Sequence, residues 1–406
     1  MELPDHRRIG RRLKIFASDE LCGAGLPLWL PAGAAVRSEI ERYIVDLERY
    51  HGYQHVYTPN LAKKDLFARS GHLAHYEEDM YPAMKVGGEE VMLRPMNCPH
   101  HVLVYASELR SYRDLPVRIA ELGTMYRCER SGVIGGLSRV RQMTLNDGHV
   151  FCAPEQVEEE VVTILGLVSQ AYEALAIPPP SFRLSLKGDG PKYVGDPGIW
   201  VRSEAMLRGA LEGMGLAFEE AEGEAAFYGP KIDLQVRDPD GREETLSTVQ
   251  VDLHLPAQFG LSYRRGPDAE MPVMVHRSIV ATMERMVAHL LEVHDGALPV
   301  WLSPVQVVVL PAVREAIEHA WLVRDQFRDR GLRVEVDDRD DTLGARVRDA
   351  EMRRIPYMAV VGRREAAAGT VAVRLRDGSQ LDAMPVQGFV DLVGRVVGHK
   401  GAALLA

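Results

Sequence analysis

What this chain of 406 residues has little of narrows the field first. It carries four cysteines, Cys22, Cys98, Cys128 and Cys152. That is too few for a disulfide framework at this length, and it points to a reducing compartment. It lacks any run of about 18 apolar residues, so nothing is expected to span a membrane. Its start, MELPDHRRIGRRLKIF, is basic but has no apolar stretch and is interrupted by acids, which fits neither a signal peptide nor a transit peptide. A cytoplasmic, soluble protein is expected. There is no surplus of positive charge either: 48 Lys and Arg stand against 58 Asp and Glu, a net charge of −10. No global basic field advertises nucleic-acid binding, although local basic patches remain compatible with it. Internal repeats and low-complexity tracts are also missing.

What is there suffices for two to three domains with ample core: 46% hydrophobic and 26% charged residues are ordinary for a globular protein. The informative stretch is RCERSGVIGGLSRVRQMTLNDGH, from Arg127 to His149. PVRIAELGTMYR before it reads as a strand. A second strand runs from about Arg139 to Cys152 beyond a loop holding Gly132, Gly135 and Gly136, which makes an antiparallel hairpin with a long tip. Strand alternation puts Arg139, Arg141, Met143, Leu145, Asp147 and His149 on one face, with Arg127 brought near Arg139 or Arg141 by pairing. Asp147 and His149 then lie about 6.6 Å apart along the strand. Guanidinium groups at one end and an Asp with a His at the other suit a substrate bearing phosphate at one end and an amine or metal-bound group at the other. Taken alone, arginines flanking a loop are more often solvated, and a strand histidine is more often structural.

The rest of the chain supplies context. Val36–Tyr50 reads as an amphipathic helix, with Ile40, Tyr43, Ile44 and Leu47 at helical spacing, followed by a strand ending at Pro59. Ser70 to Tyr76, with His72 and His75, reads as a polar loop. Cys98 falls at the end of a strand, before a helical stretch from about His101. Pro154 to Leu175 is a helix with a proline and acids early. FRLSL is a strand, a helix follows near Val201 to Met214, and two alternating strands are joined by a DPDG turn. A short strand then runs into a helix, with His276 at the junction and Arg285 two to three turns inside. Beyond a boundary near Trp301 the order is strand, helix, strand, helix, strand, strand, helix, a compact α/β unit.

Together these motifs resemble the class II aminoacyl-tRNA synthetases, and most closely their threonyl branch. The similarity runs from DHRRIG near the start to the last strand of the C-terminal unit. YRCERSG with its following strand looks like motif 2 of the class, MER at Met283 to Arg285 like motif 3, and the helix and strand ending at Pro59 like motif 1, which builds the family's dimer interface. PMNCPHH, NDGHVFC, AFYGPK, STVQ and VMVHR are specific to the branch. The resemblance implies an α/β (α+β) fold: an antiparallel sheet flanked by helices over residues 1–298 as the catalytic domain, and a smaller α/β anticodon-binding domain over 299–406.

It also implies roles. The family joins L-threonine to threonine tRNA through ATP, so negative charges must be gathered and neutralised. Arg127 would sit on the α-phosphate and the substrate carboxylate, Arg139 on the distal phosphates and Arg285 on the far side of ATP, where bidentate guanidinium groups fit. Glu129 would hold Mg²⁺, Thr248 would border the nucleotide, and Lys231 would reach the reacting groups. Cys98, His149 and His276 match the family's zinc ligands, one Zn²⁺ per chain with a position left open for substrate. Asp147, Tyr228 and Gln250 would hold threonine, and a site built for its hydroxyl rejects valine far better than serine. His72 matches the histidine that helps the tRNA ribose hydroxyl attack the adenylate. Arg348, Glu365 and Arg374 match residues that read the anticodon.

Departures from the family pattern are equally specific. No N-terminal editing domain is expected, and with it no clearance of serine in cis. Leu145 and Thr245 stand where many members have glutamine, Met143 where many have an adenine-stacking aromatic, and Ala281 in place of the motif 3 glycine. Asp340 and Thr342 stand where asparagine and lysine are usual, and an acid near RNA phosphates is unfavourable. The expectation is an ATP- and zinc-dependent threonine–tRNA ligase, a homodimer. The alternatives are a paralogue that activates threonine or a related amino acid for another acceptor or as a drug-insensitive spare copy, and a non-enzymatic regulator that binds tRNA.

Overall fold

The computed structural model describes residues 4–405. An eight-stranded sheet organises the first part of the chain. In sequence its strands are β1 (Gln54–His55), β2 (Val117–Tyr126), β3 (Gln142–Cys152), β4 (Ser181–Leu186), β5 (Phe218–Glu222), β6 (Lys231–Arg237), β7 (Glu243–Asp252) and β8 (Val273–Ser278). They lie side by side in the order β5-β4-β6-β7-β8-β3-β2-β1. The pairs β4–β5 and β1–β2 are parallel, and the ladders between them are antiparallel.

Alternation gives the two faces different jobs. Ala120, Val150, Ile232, Val249, Val251 and Val275 point to the back and join the main core, beneath helices α2 (Pro31–Tyr50), α5 (Val157–Leu175) and α7 (Met283–Val293). The front face is apolar at one end, where Ile119, Phe151 and Met274 pack under Cys98 and Val102 of α4 (Cys98–Ala106). Its other end is polar and concave. The remaining helices of this part include α1 (His6–Arg12), α3 (His72–Tyr76) and α6 (Pro197–Gly213).

Four local readings of the sequence need correction. The stretch from Ser70 to Tyr76 contains the short helix α3, entered through Gly71 at φ +80°, rather than being all loop. The strand expected to end at Pro59 pairs only over Gln54–His55; beyond it Thr58 bonds to the Glu121 carboxylate instead of a neighbouring backbone. Strand β8 does not run straight into α7. Ile279 to Thr282 intervene, the Thr282 side chain caps the helix by accepting from the Arg285 N–H at 3.1 Å, and Arg285 sits in the first turn. These four residues run beside β3 without continuing a regular strand: the Ile279 N–H donates to Asn146 Oδ1 at 3.1 Å and the Asn146 N–H donates to the Ala281 carbonyl, tertiary bonds no periodicity reveals. Helix α2 also begins earlier than Val36, because Pro31 occupies its first turn.

Behind the sheet, one ion pair joins these pieces. Glu48, at the end of the α2 apolar stripe, and Arg277 of β8 are both fully buried, with Nη1 and Oε1 2.6 Å apart. Asn146 Nδ2 donates to the same carboxylate oxygen at 2.7 Å, His55 Nε2 lies 2.8 Å from the other, and the guanidinium lies over the Tyr53 ring. The guanidinium also occupies the space beside Gly148, where a Cβ would come within 2.3 Å of Arg277 Cζ.

The C-terminal unit is a five-stranded sheet of β9 (Val307–Pro311), β10 (Val334–Val336), β11 (Tyr357–Val361), β12 (Thr370–Leu375) and β13 (Gln380–Pro385), ordered β10-β9-β11-β12-β13. The edge strand β13 was not foreseen. Helices α8 (Ile317–Asp329) and α10 (Val386–His399) cover one face, and α9 (Leu343–Met352) covers the other. Arg333 docks the unit, donating to Glu39 on α2 at 2.6 Å and to the carbonyls of Trp301 and Ser303. No helix among the described residues is long and apolar enough to cross a membrane.

Removing one member of the buried pair leaves the other uncompensated. Arg277→Met is expected to lower the unfolding free energy by about 3–5 kcal/mol, read as a shifted denaturant midpoint. Adding Glu48→Gln should restore part of that loss, because no bare carboxylate then remains; a midpoint unmoved by Arg277→Met would show the pair to be dispensable.

Candidate functional site

Strand register builds the site. Lys231 pairs opposite Gln250, Gln250 opposite His276, and His276 opposite His149. Directly opposed residues share a face, so these four side chains form a row across β6, β7, β8 and β3 on the front of the sheet. Cys98, the first residue of α4, is set above its far end. The ligand atoms of Cys98, His149 and His276 all lie within 4.8 Å of one another, and all three residues are buried. A cavity of about 560 Å³ opens over the row and is bordered also by Asp147, Tyr228, Thr248, Met143, Leu145 and Thr245, and at its other end by Arg127, Glu129, Arg139 and Arg285.

The backs of the two imidazoles are held by other side chains. His149 Nε2 and His276 Nδ1 face each other at 3.0 Å. His149 Nδ1 meets His101 Nδ1 at 2.7 Å, and His101 Nε2 meets the Glu121 carboxylate at 3.1 Å. Burial alone would raise the Glu121 carboxyl, but bonds from His101 and Thr58 and the charge of Arg94 hold it down at about 2. His276 Nε2 meets Asp252 Oδ2 at 2.9 Å, while Asp252 Oδ1 accepts the N–H groups of His254 and Leu255. Tyr228 stacks on the His276 ring with centroids 5.0 Å apart and donates to Gln250 Oε1 at 2.6 Å. Burial pushes the Asp147 carboxyl and the Tyr228 phenol up, and pushes the His149 imidazole down.

One thiol and two imidazoles facing a common point, each imidazole backed by a second polar group, is a donor set that fits a tetrahedral zinc ion with a position left over. Sequence reasoning missed His101, Glu121 and Asp252. Signals existed for two of them: His101 lies three residues after Cys98, one helical turn on, and Asp252 shares the strand face of Gln250.

At the cationic end the expected groups engage one another. Arg139 and Glu129 are paired at 2.8 Å, and Arg285 lies 3.5 Å from both Glu244 and the Thr245 carbonyl. Arg127 donates its N–H to the Arg141 carbonyl, as the hairpin reading required. Arg139 and Arg141 themselves precede β3 rather than belonging to it, so strand alternation does not govern them. Arg141 turns away to the carbonyls of Glu129 and Ala24. Lys231 is held by Asp233 at 2.7 Å.

His72, expected beside the ribose of tRNA, is fully buried and does not border the cavity. Its Nδ1 meets Ser70 Oγ at 2.8 Å, and its Nε2 lies 3.6 Å from Cys98 Sγ. Far away, Arg348 is exposed on α9 and Arg374 donates to Glu351 at 2.8 Å. Glu365 accepts from the Gly362 N–H at 2.8 Å, closing the start of a short helix. Thr342, noted above only as a departure, is the residue that caps α9 through the Ala345 N–H.

Ala281, another departure, stands at φ +52° at the border of the cavity. A left-handed conformation is unfavourable for any residue with a Cβ. Ala281→Gly should raise stability by about 1 kcal/mol after the entropy cost of glycine. Calorimetry checks it: a melting temperature that falls would mean the Ala281 methyl group contributes packing that outweighs the strain.

With this geometry in view, comparison places the chain among known proteins. The family description "tRNA synthetase class II core domain (G, H, P, S and T)" matches residues 81–294, and "Anticodon binding domain" matches residues 306–395. A threonine–tRNA ligase of Halalkalibacterium halodurans is 51% identical over 396 residues, 96% of this chain and 61% of that protein. The chain thus spans about three fifths of the length of the curated relatives it matches. The crystal structure described as the RNA binding domain of threonyl-tRNA synthetase from Cryptosporidium parvum superposes with a TM-score of 0.92 at 34% identity, covering 98% of this chain and 99% of that one. A putative threonyl-tRNA synthetase from Aeropyrum pernix gives 0.86 at 27% identity, covering 99% and 98%.

Proposed function

The chain belongs to the threonyl-tRNA synthetases of class II, and from that premise we propose that it is a threonine–tRNA ligase. The observation that carries the reading is the row Lys231, Gln250, His276 and His149 beneath Cys98, leading to a cleft walled by three guanidinium groups. One end of that cleft tests for a small amino acid and the other accepts a triphosphate.

In the first step a carboxylate oxygen of threonine attacks the α-phosphorus of ATP, and pyrophosphate leaves. Arg127 neutralises the charge gathered at the α-phosphate and the substrate carboxylate, while Arg139 and Arg285 take the outer phosphates and the far side of the nucleotide. Lys231, aimed by Asp233, stabilises the reacting oxygens. Glu129 is the carboxylate available for Mg²⁺. Cys98, His149 and His276 would hold Zn²⁺, which when bound supplies a Lewis-acidic position for the substrate's amine and hydroxyl. Asp147 accepts a hydrogen bond from that hydroxyl or amine, and Tyr228 closes over the amino group. In the second step the terminal ribose hydroxyl of threonine tRNA attacks the adenylate carbonyl and AMP leaves. Arg348, Glu365 and Arg374 are the candidate anticodon contacts, and motif 1 is the candidate homodimer surface.

Three measurements test this. The purified protein should hold one zinc per chain by elemental analysis, and Cys98→Ala should lose both the metal and threonine-dependent ATP–pyrophosphate exchange while the fold persists; active protein without zinc sinks the assignment. Valine should be refused by at least about 10⁴-fold in exchange, because a buried site built for a hydroxyl is left unpaired, whereas serine, lacking one methyl, should be disfavoured only about 10–200-fold. Charging of threonine tRNA should follow exchange, and Arg374→Ala should weaken charging by about 1–3 kcal/mol if it reads a base edge, with exchange unchanged. Exchange without charging would instead favour a paralogue serving another acceptor.

A further inference from the structure

His6 lies far from the donor end of the cavity and has no role in the reading above, yet it is buried and both of its ring nitrogens are engaged. The Leu137 N–H donates to Nε2 at 3.2 Å, so that nitrogen carries the lone pair and the ring proton sits on Nδ1. Nδ1 then donates to Glu292 Oε1 at 2.7 Å, and the His6 backbone N–H donates to the same oxygen at 3.0 Å. Asp5, His6 and Glu292 are close enough together to suggest a cation site. The bonds argue otherwise: Asp5 is engaged by Arg7, and neither imidazole nitrogen has a free lone pair.

What His6 connects is informative. Glu292 lies on α7 seven residues beyond Arg285, on the same helical face and about 10 Å along the axis. Leu137 is buried in the main core and lies in the loop before β3, two residues before Arg139, whose guanidinium is paired with Glu129. Gly136 stands at φ +55°, and a Cβ there would come within 2.3 Å of His6 Nε2. We propose that His6 is a positioning residue for ATP, a strut that fixes the loop bearing Arg139 and Glu129 against the helix bearing Arg285. It thereby sets the spacing between the guanidinium groups on opposite sides of the nucleotide. The proposal rests on the reading that this end of the cavity takes ATP.

The test uses the full-length protein in threonine-dependent ATP–pyrophosphate exchange, together with amide hydrogen exchange of the segment 130–141. His6→Ala should raise the KM for ATP about five- to tenfold, the size of one lost hydrogen bond, with kcat and the KM for threonine within about twofold. The amides around Leu137 should exchange faster. His6→Gln, whose carbonyl can accept the Leu137 N–H, should recover much of the loss, and Gly136→Ala should reproduce it by displacing the ring. If His6→Ala does not fold, the other two variants carry the same comparison. An ATP KM unchanged in folded variants overturns the proposal, and so does a parallel rise in both KM values with a falling kcat. Failure of the wild-type protein to exchange at all would refute the ligase reading instead, while the amide measurement would still decide whether His6 restrains the loop.

Discussion

The Glu48–Arg277 pair is the constraint on which the geometry of the site depends. Two charges removed from water are costly, and their attraction offsets that cost only where each is well bonded. Here the Glu48 carboxylate accepts from Asn146 and is paired with Arg277 and His55, while Arg277 donates to Asn146 Oδ1 at 3.3 Å and lies against Tyr53, with Nε and Nη2 left without a hydrogen-bond partner. Every partner belongs to a different piece of the fold: α2, β1, the turn before it, and β3. The consequence on the other side of the sheet is direct. Arg277 follows His276 and sits opposite Gly148, which precedes His149. Anchoring Arg277 behind the sheet therefore fixes the register in which His276 and His149 face each other in front. A one-residue slip would turn one imidazole into the core and bring an arginine into the cleft.

Neutral imidazoles are what a metal needs, and the surroundings of His149 favour that form. His149 is fully buried, and burial disfavours its charged form. Negative charge is kept one step back, on Glu121 behind His101 and on Asp252 behind His276. Each carboxylate has other partners of its own, Arg94, Thr58 or backbone N–H groups, so neither is free to swing into the cleft. Such backing orients the ring and fixes which nitrogen faces forward.

Much of this was legible in the sequence because the informative residues sit on strands. Alternation along β3 placed Asp147 and His149 together, and the family strings supplied Cys98 and His276. Less legible was anything set by contacts between distant elements. The chain between β8 and α7 reads as an uninterrupted apolar run, and only the bond from Asn146 to Ala281 shows where the strand ends. For the same reason Arg285 was placed deep inside a helix that it begins. Glu121 and Asp233 escaped notice because a side chain that orients another belongs to no motif of its own, while His101, one helical turn after Cys98, and Asp252, on the strand face of Gln250, carried a positional signal that named no task. Thr342 was read as a lost charge when its nearest task is capping α9.

The two ends of the cleft are held to different tolerances, and the chemistry explains why. At the donor end Cys98, Asp147, His149 and His276 are buried, and each of the two imidazoles is held by polar partners at both ring nitrogens, as the proposed discrimination by a hydroxyl group would require. At the cationic end the Arg139 and Arg285 side chains are 52% and 41% exposed, and they pair with carboxylates rather than with backbone alone. Exposed ion pairs are worth little in water and exchange partners readily. A polyphosphate can therefore displace Glu129 and Glu244 as the partner of these arginines without unfolding anything, and a released Glu129 becomes available to a cation. The rigidity needed there lies one layer deeper, in the backbone of the loop and helix that carry the guanidinium groups. On the proposed reading, selectivity would rest on the closely held end, and turnover on the end whose charges can change hands.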